Sequence, residues 1–572
     1  MLDVLITGGT VVDGTGSPGV RADVGVRDGR IVDVGEIDDT AATTVDADGL
    51  VVAPGFIDPH THYDAQLFWD PAASPSNQHG VTSVIGGNCG FTLAPLDPDD
   101  ADYLRRMMAK VEGMPLAALE NGIAWDWRSF GDYLSRLDGN LGVNAGFLVG
   151  HCALRRRVMG PDAVGGTPSA KQLDEMRALL HESIDAGGLG FSTSRAYTHS
   201  DGDGAPVPSR HAAPDEVLAM CEVVADHAGT TLEFITDGCL NGFSDDEMDL
   251  MARMSATARR PLNWNVLTVD ASDPGKTEHQ LEASTRARAA GGRVVALTMP
   301  TLVGMNMSFG SYCALFLLPG WRDILELPLA ERIAKLRDPE VRAEMDRRAH
   351  SPEAGVVRRL AGWNRYVIGD TFSPENAPLS GMSIGEIAAE RGTAPFDTLL
   401  DVVIADDLRT VLWPAPTDDD GDSWKKRAEV WRDDRVLIGG SDAGAHLDRM
   451  CGAPYTTGFL ADCLRGRRLL PMEEAVRLMT SAPAALFGLR DRGTLRPGAF
   501  ADLVVFDADT VASGPIYMTK DLPGSSSRLV ADAVGVEHVL VNGRETVRAG
   551  AATGDLPGTL MRSGRDTDTV EP

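Results

Sequence analysis

Eight short apolar runs, separated by stretches of helical pattern, fill the middle of this 572-residue chain and leave few folds open to it. They lie at residues 50–57, 80–89, 143–151, 188–193, 231–236, 261–267, 293–298 and 435–442. The gaps carry helix-start signals. Thr167-Pro168 sets a cap residue before a proline suited to a first turn, and Ser244-Asp245-Asp246-Glu247 has the capping-box spacing. Repeated strand–helix alternation is the pattern of an α/β protein, and eight repeats are best satisfied by a (β/α)8 TIM-like barrel.

The two ends of the chain read differently. Val4-Leu5-Ile6, Thr10-Val11-Val12, Asp23–Val26 and Arg30–Val34 are strand-like, with turns such as Asp28-Gly29 between them. Ala501–Asp507 and Val539–Gly543 have the same texture near the far end. Residues 1–54 and 490–550 are therefore expected to build one small β-sandwich, in which each terminus covers the other's open edge. Residues 55–489 are left for the barrel, with an insertion at about 301–430 that is far longer than one helix needs. The insertion, which opens with the apolar Leu315–Trp321, reads either as extra packing or as a substrate lid. The polar segment 559–572 is expected to be a flexible tail.

Charge and cysteine usage narrow the function. Lys and Arg number 53 against 83 Asp and Glu, and a net charge of −30 excludes the basic face that nucleic-acid binding demands. No apolar stretch approaches the roughly 18 residues of a membrane span. Met1–Ile6 lacks the basic start of a signal peptide. Seven cysteines, an odd number, do not make a disulfide framework, so a reducing, cytoplasmic setting is expected. A homo-oligomer stays open.

In such a barrel the active site lies at the C-terminal ends of the strands. The first run ends in His60-Thr61-His62. Alternate side chains of an extended strand share a side, so both imidazoles can converge on one divalent metal, zinc being well suited. The second run ends at Cys89, the third at His151, the fourth at Ser194 and Arg195, and the eighth at Asp442 with His446 just beyond. A cysteine facing two histidines is a credible thiolate ligand, because the metal itself lowers the thiol pKa. His60, His62, Cys89 and Asp442 thus make four donors, enough for one ion.

Several motifs lie along almost the whole chain: Ala53–His62, Gly87-Asn88-Cys89-Gly90, Gly150–Arg155, Gly190–Ser194, Gly440-Ser441-Asp442-Ala443 and Gly493–Gly498. In these the sequence resembles the amidohydrolase superfamily and, within it, the D-aminoacylase-like branch of N-acyl-D-amino-acid deacylases. The cysteine after the second strand and the absence of a lysine ending the fourth both fit the branch. The resemblance implies metal-binding histidines at the ends of the fifth and sixth strands. By register those positions hold Ile235 and Val266, neither of which can bind a metal. The lysine expected after the sixth-strand histidine, which helps hold a substrate carboxylate, is missing too. A reduced site with one metal follows, with Glu233, Asp237 and Asn265 as nearby polar residues.

The expected reaction is metal-dependent hydrolysis of an amide C–N bond, with removal of the acyl group from an N-acyl-D-amino acid as its leading form. Metal-activated water attacks the carbonyl, and Asp442 takes a proton as base and returns it as acid. His151 would help stabilise the oxyanion. Arg155, Arg195 or Arg449 would grip a substrate carboxylate, with a structural ion pair as the alternative role for each. Tyr197 either walls the pocket or packs in the core. Hydrolysis of a cyclic amide on the same site, and a barrel that binds ligand without turnover, stay open, as does a non-hydrolytic lyase.

Overall fold

Each apolar run supplies one parallel strand of a mixed α/β protein. The structure, a computed structural model, describes residues 1–311, 313–416 and 418–572. Phe56–Asp58, Val81–Gly86 and Asn144–Phe147 pair in that order. The third strand continues as Val149–Gly150 and pairs with Gly190–Ser194. Thr231–Ile235, Pro261–Trp264, Arg293–Thr298 and Val436–Ile438 follow in the same sheet. Just past the eighth strand the chain meets the end of the first: the Asp442 amide donates to the His60 carbonyl at 3.2 Å, and the His62 amide to the Ala443 carbonyl at 2.7 Å.

The connecting helices start where backbone donors find caps. Ser244 caps the helix Asp245–Ala258, and the Glu247 carboxylate takes the Ser244 amide in return at 2.8 Å. The helix expected from Thr167-Pro168 instead spans Ala170–Asp185, because Ser169 caps it in a reciprocal box with Gln172.

Both ends of the chain enter one nine-stranded sheet. Val51–Pro54 sits between Leu2–Val11 on one side and Leu503–Phe506 on the other, and the latter leads on to Val536–Val541, Arg544–Arg548 and Ala551–Ala552. Val4, Ile6, Val24, Val52, Leu503 and Val505 share its apolar core. Asn144, at the start of the third parallel strand, ties that strand to the sheet. Its amide donates to Asp502 at 3.1 Å, and Asp502 in turn accepts the Asn542 amide at 2.8 Å and pairs with buried Arg492.

The segment 559–572 does not behave as the free tail expected of it. Ala145 donates to the Thr559 carbonyl at 3.1 Å and accepts from the Met561 amide at 2.8 Å, while Asp568 donates to the Gly488 carbonyl at 2.7 Å. The physical reason is two apolar residues within polar surroundings: Leu560 and Met561 are each 1% exposed.

Residues Leu302–Asp420 form a second unit with a core of its own. Its helices include Leu329–Arg337, Pro339–Ala349, Ile384–Arg391 and Pro395–Ala405. Trp363 stacks on Trp321 with ring centroids 5.5 Å apart and lies 4.9 Å from Phe396. Among the described residues, no helix is long and apolar enough to cross a membrane.

The Asp502 junction can be tested directly. Replacing Asp502 with Ala strands the buried Arg492 charge, and the expected cost is about 3–5 kcal/mol of unfolding free energy in urea titration.

Candidate metal centre

His60 and His62 follow the first strand and are almost fully buried. Their rings meet edge to face with centroids 5.4 Å apart. One donor atom from each, together with Cys89 Sγ, falls within 4.8 Å of the others. Cys89 Sγ is 3.6 Å from His60 Nε2. Asp442 Oδ1 closes the group at 3.5 Å from His60 Nε2 and 3.2 Å from His62 Nε2. The structure therefore brings together all four side chains expected as ligands.

The Cys89 loop is held in a shape most residues avoid. Cys89 has φ 56° and Gly87 φ 74°. A Cβ on Gly87 would fall 2.2 Å from the Leu148 carbonyl oxygen, so the loop crosses the third strand where only glycine fits. Three strands brace it. Asp64, beyond the first, accepts the Gly87 amide at 3.1 Å; Ser192 on the fourth accepts the Gly90 amide at 3.0 Å; Glu233 on the fifth accepts the Cys89 amide at 2.8 Å. Asn88 donates to the Thr61 carbonyl at 3.1 Å, which ties this loop to the histidine pair.

The electrostatics ask for a cation. Asp58, Asp64, Glu112 and Glu233 are buried around the histidines, and among the described residues neither they nor Asp442 pair with an arginine or lysine. Burial pushes Glu233 up to about 8, Glu112 up to about 7 and Asp64 up to about 6. Burial alone would lower the His62 imidazole, but Glu112 and Asp442 beside it outweigh that and raise it to about 10. Burial would likewise raise Asp442, yet the hydrogen bonds from His60 and His62 hold it well below the carboxylate range. Two imidazoles, a thiol and several carboxylates with no fixed positive partner fit a divalent metal of the zinc type.

Other expected site residues have different surroundings. Both ring nitrogens of His151 are taken, Nδ1 by Thr193 at 2.9 Å and Nε2 by Glu216 at 3.0 Å, which leaves none to aim at an oxyanion. Arg155 is fully buried, with its guanidinium spent on Glu216 at 2.5 Å and on the Ala163 and Gly166 carbonyls. The two share Glu216 because a buried guanidinium and a buried carboxylate neutralise each other. Arg195 is half-buried, and its amide donates to the Ile235 carbonyl at 2.8 Å. Arg449 pairs with Asp448 at 2.8 Å and lies against the Gly113 turn beside His446. Tyr197 is 44% exposed, so it is not a core residue, and its amide donates to Asp237.

Three residues near the histidines escaped the sequence reading. Glu112 Oε2 stands 3.6 Å from His62 Nε2. Its only signal was an acidic residue in the otherwise uncharged Val111-Glu112-Gly113-Met114-Pro115. Asp64 lies two residues past His62, in phase with the pair, and could have been found that way. His199 bonds Ser194 at 2.7 Å and packs on Phe91, and burial with His62 and His446 nearby lowers it to about 3.

Comparison with known proteins places this geometry. Residues 43–547 match the amidohydrolase family. The chain is 31% identical to a D-aminoacylase of Alcaligenes xylosoxydans xylosoxydans, over 98% of this chain and 97% of that protein. It is also 31% identical to an N-acyl-D-glutamate deacylase of the same organism, over 98% and 96% of the two chains. A D-aminoacylase crystal structure superposes with a TM-score of 0.64 at 27% identity, covering 98% of this chain and 100% of that one. An N-acyl-D-glutamate deacylase from Bordetella bronchiseptica, complexed with zinc and a phosphonate mimic of the tetrahedral intermediate, gives the same score, identity and coverage. With the match spanning nearly its whole length, the chain belongs to the amidohydrolase family.

Proposed function

We propose that this metal-dependent amidohydrolase removes the acyl group from N-acyl-D-amino acids or closely related small amides. The observation that carries the reading is the convergence of His60, His62 and Cys89 within 4.8 Å beside Asp442, in a chain alignable end to end with a D-aminoacylase. A single divalent ion, zinc by its donors, is the cofactor of this reading. His60, His62 and Cys89 form the only such trio among the described residues, and Ile235 and Val266 offer no donor.

When bound, the ion would polarise the amide carbonyl and bring water within reach of deprotonation near neutral pH. His60, His62, Cys89 and Asp442 would hold it. Asp442 is the acid–base residue: kept ionised by both histidines, it accepts a proton from the attacking water and returns it to the departing nitrogen. His446, whose Nε2 is 3.9 Å from Asp442 Oδ2, faces the other oxygen of that carboxylate. For the substrate carboxylate, Arg195 and Arg449 are the candidates, since Arg155 is fully buried and bonded to Glu216. Closure of the eight strands into a barrel belongs to the same reading, supported by the bonds from Asp442 and His62 across its first and last strands. So does folding of the terminal strands as a sandwich, supported by their shared apolar core. The seven free thiols agree with a reducing, cytoplasmic setting.

Replacing His60 and His62 together with Ala should remove the metal, as read by elemental analysis of the purified protein; retention of a full equivalent would refute the centre. Asp442→Asn should keep the fold and lower kcat by about 10²–10⁴ on an N-acyl-D-amino acid panel. Arg449→Met should raise KM for carboxylated substrates. By contrast, Arg155→Met should lose about 3–5 kcal/mol of unfolding free energy by stranding Glu216, with KM of the folded enzyme little changed.

A further inference from the structure

Of the buried carboxylates around the histidines, three already brace the backbone: Asp58 accepts the His60 and Ser441 amides, Asp64 the Gly87 amide and Glu233 the Cys89 amide. The Glu112 carboxylate does not. It is 3% exposed, and among the described residues its carboxylate meets no partner other than the His62 ring. We propose that Glu112 is a direct ligand of the metal ion, a fifth protein donor beside His60, His62, Cys89 and Asp442. This rests on the reading of the cluster as a metal centre.

Spacing supports the assignment. Bonds of about 2.0–2.3 Å to one ion, opened at roughly 100–110°, put neighbouring donor atoms about 3.1–3.8 Å apart. Asp442 Oδ1 is 3.2 Å from His62 Nε2 and 3.5 Å from His60 Nε2, and Cys89 Sγ is 3.6 Å from His60 Nε2. Glu112 Oε2, at 3.6 Å from His62 Nε2, has the spacing of a neighbouring donor from that one histidine. Ile235 and Val266, after the fifth and sixth strands, carry no donor of their own.

The backbone delivers Glu112 to this place. It is the residue that follows the helix Ala101–Val111, and its amide donates to the Met108 carbonyl at 2.9 Å. Its own carbonyl accepts the His446 amide, four residues beyond Asp442. A Cβ on Gly113, at φ 59°, would fall 2.7 Å from Arg449 Nη2 and 3.1 Å from the His446 Cα. The turn after Glu112 is thus fitted closely to the loop that carries Asp442, and one contact positions both carboxylates. A carboxylate kept in a buried site without a cationic partner is poised for a bound cation.

The test uses the full chain, stripped of metal and titrated with zinc against a chromophoric chelator, then loaded with cobalt(II) for its visible spectrum. Glu112→Gln keeps the size and removes the charge. It should weaken zinc about tenfold or more and change the intensity of the cobalt bands as one donor is lost, while the metal-free variant unfolds at or above the wild-type temperature. A merely structural role would instead lower that temperature and leave the spectrum alone. Zinc affinity within twofold of wild type with a superimposable cobalt spectrum would overturn the proposal. If Glu112→Gln fails to fold, Glu112→Asp is read by the same two measurements and the same limits. The His60→Ala, His62→Ala double variant separates the two ideas. If it loses zinc while Glu112→Gln does not, only the Glu112 ligand is wrong; if it also keeps zinc, the metal centre itself is wrong.

Discussion

The active end of this protein depends on a charge imbalance that the fold imposes on itself. Carboxylates from several segments are buried around His60 and His62, and among the described residues no arginine or lysine is paired with them. Burying an unpaired carboxylate is costly, by several kcal/mol per ion even after relaxation. In the metal-free protein a proton on His62 is the available relief, which is why its basicity is raised despite burial. A divalent cation neutralises the same carboxylates more fully. Metal binding is then a completion of the fold's electrostatics as well as a source of chemistry, and part of its affinity is stability returned.

Geometry at the centre is set from behind. Cys89 at φ 56° and Asp442 at φ 58° both have left-handed backbones, and the Cys89 loop is held by hydrogen bonds to Asp64, Ser192 and Glu233 and, through Asn88, to Thr61. The result is a thiol whose place is fixed by backbone contacts alone, the preorganisation that a metal ligand requires. The His151–Arg155–Glu216 group shows a complementary economy. Its members neutralise each other in the interior.

How much of this was legible in the sequence follows from the range of the interactions. The strands could be read because apolar runs and helix caps are local patterns, and Ser244 with Glu247 behaves as its spacing says. His60, His62, Cys89 and Asp442 could be read because each marks a strand end, and strand ends of such a sheet share one face. Glu112 could not, since it comes from a helix end in a long connection and reaches the site only through the His446 loop. Arg155 was left between a substrate grip and a structural ion pair for a similar reason. Its partner Glu216 lies 61 residues away and nothing in the local sequence announces the pair. The tail was misjudged because two apolar residues, Leu560 and Met561, outweigh the polar composition around them.

The place of Val51–Pro54 between Leu2–Val11 and Leu503–Phe506 bears on how the chain is made. During synthesis this strand emerges early and must wait for more than 400 residues, about the span from Pro54 to Leu503, before its second neighbour exists. Until then one of its edges is a bare ladder of amides and carbonyls, open to pairing with another nascent chain. The first parallel strand begins only two residues after it; it finds Val81–Gly86 early, but the bonds of His60 and His62 to Asp442 and Ala443 wait for the eighth strand. Assembly of the catalytic end is therefore coupled to completion of translation, and expression conditions that slow elongation or crowd ribosomes bear hardest on this stage.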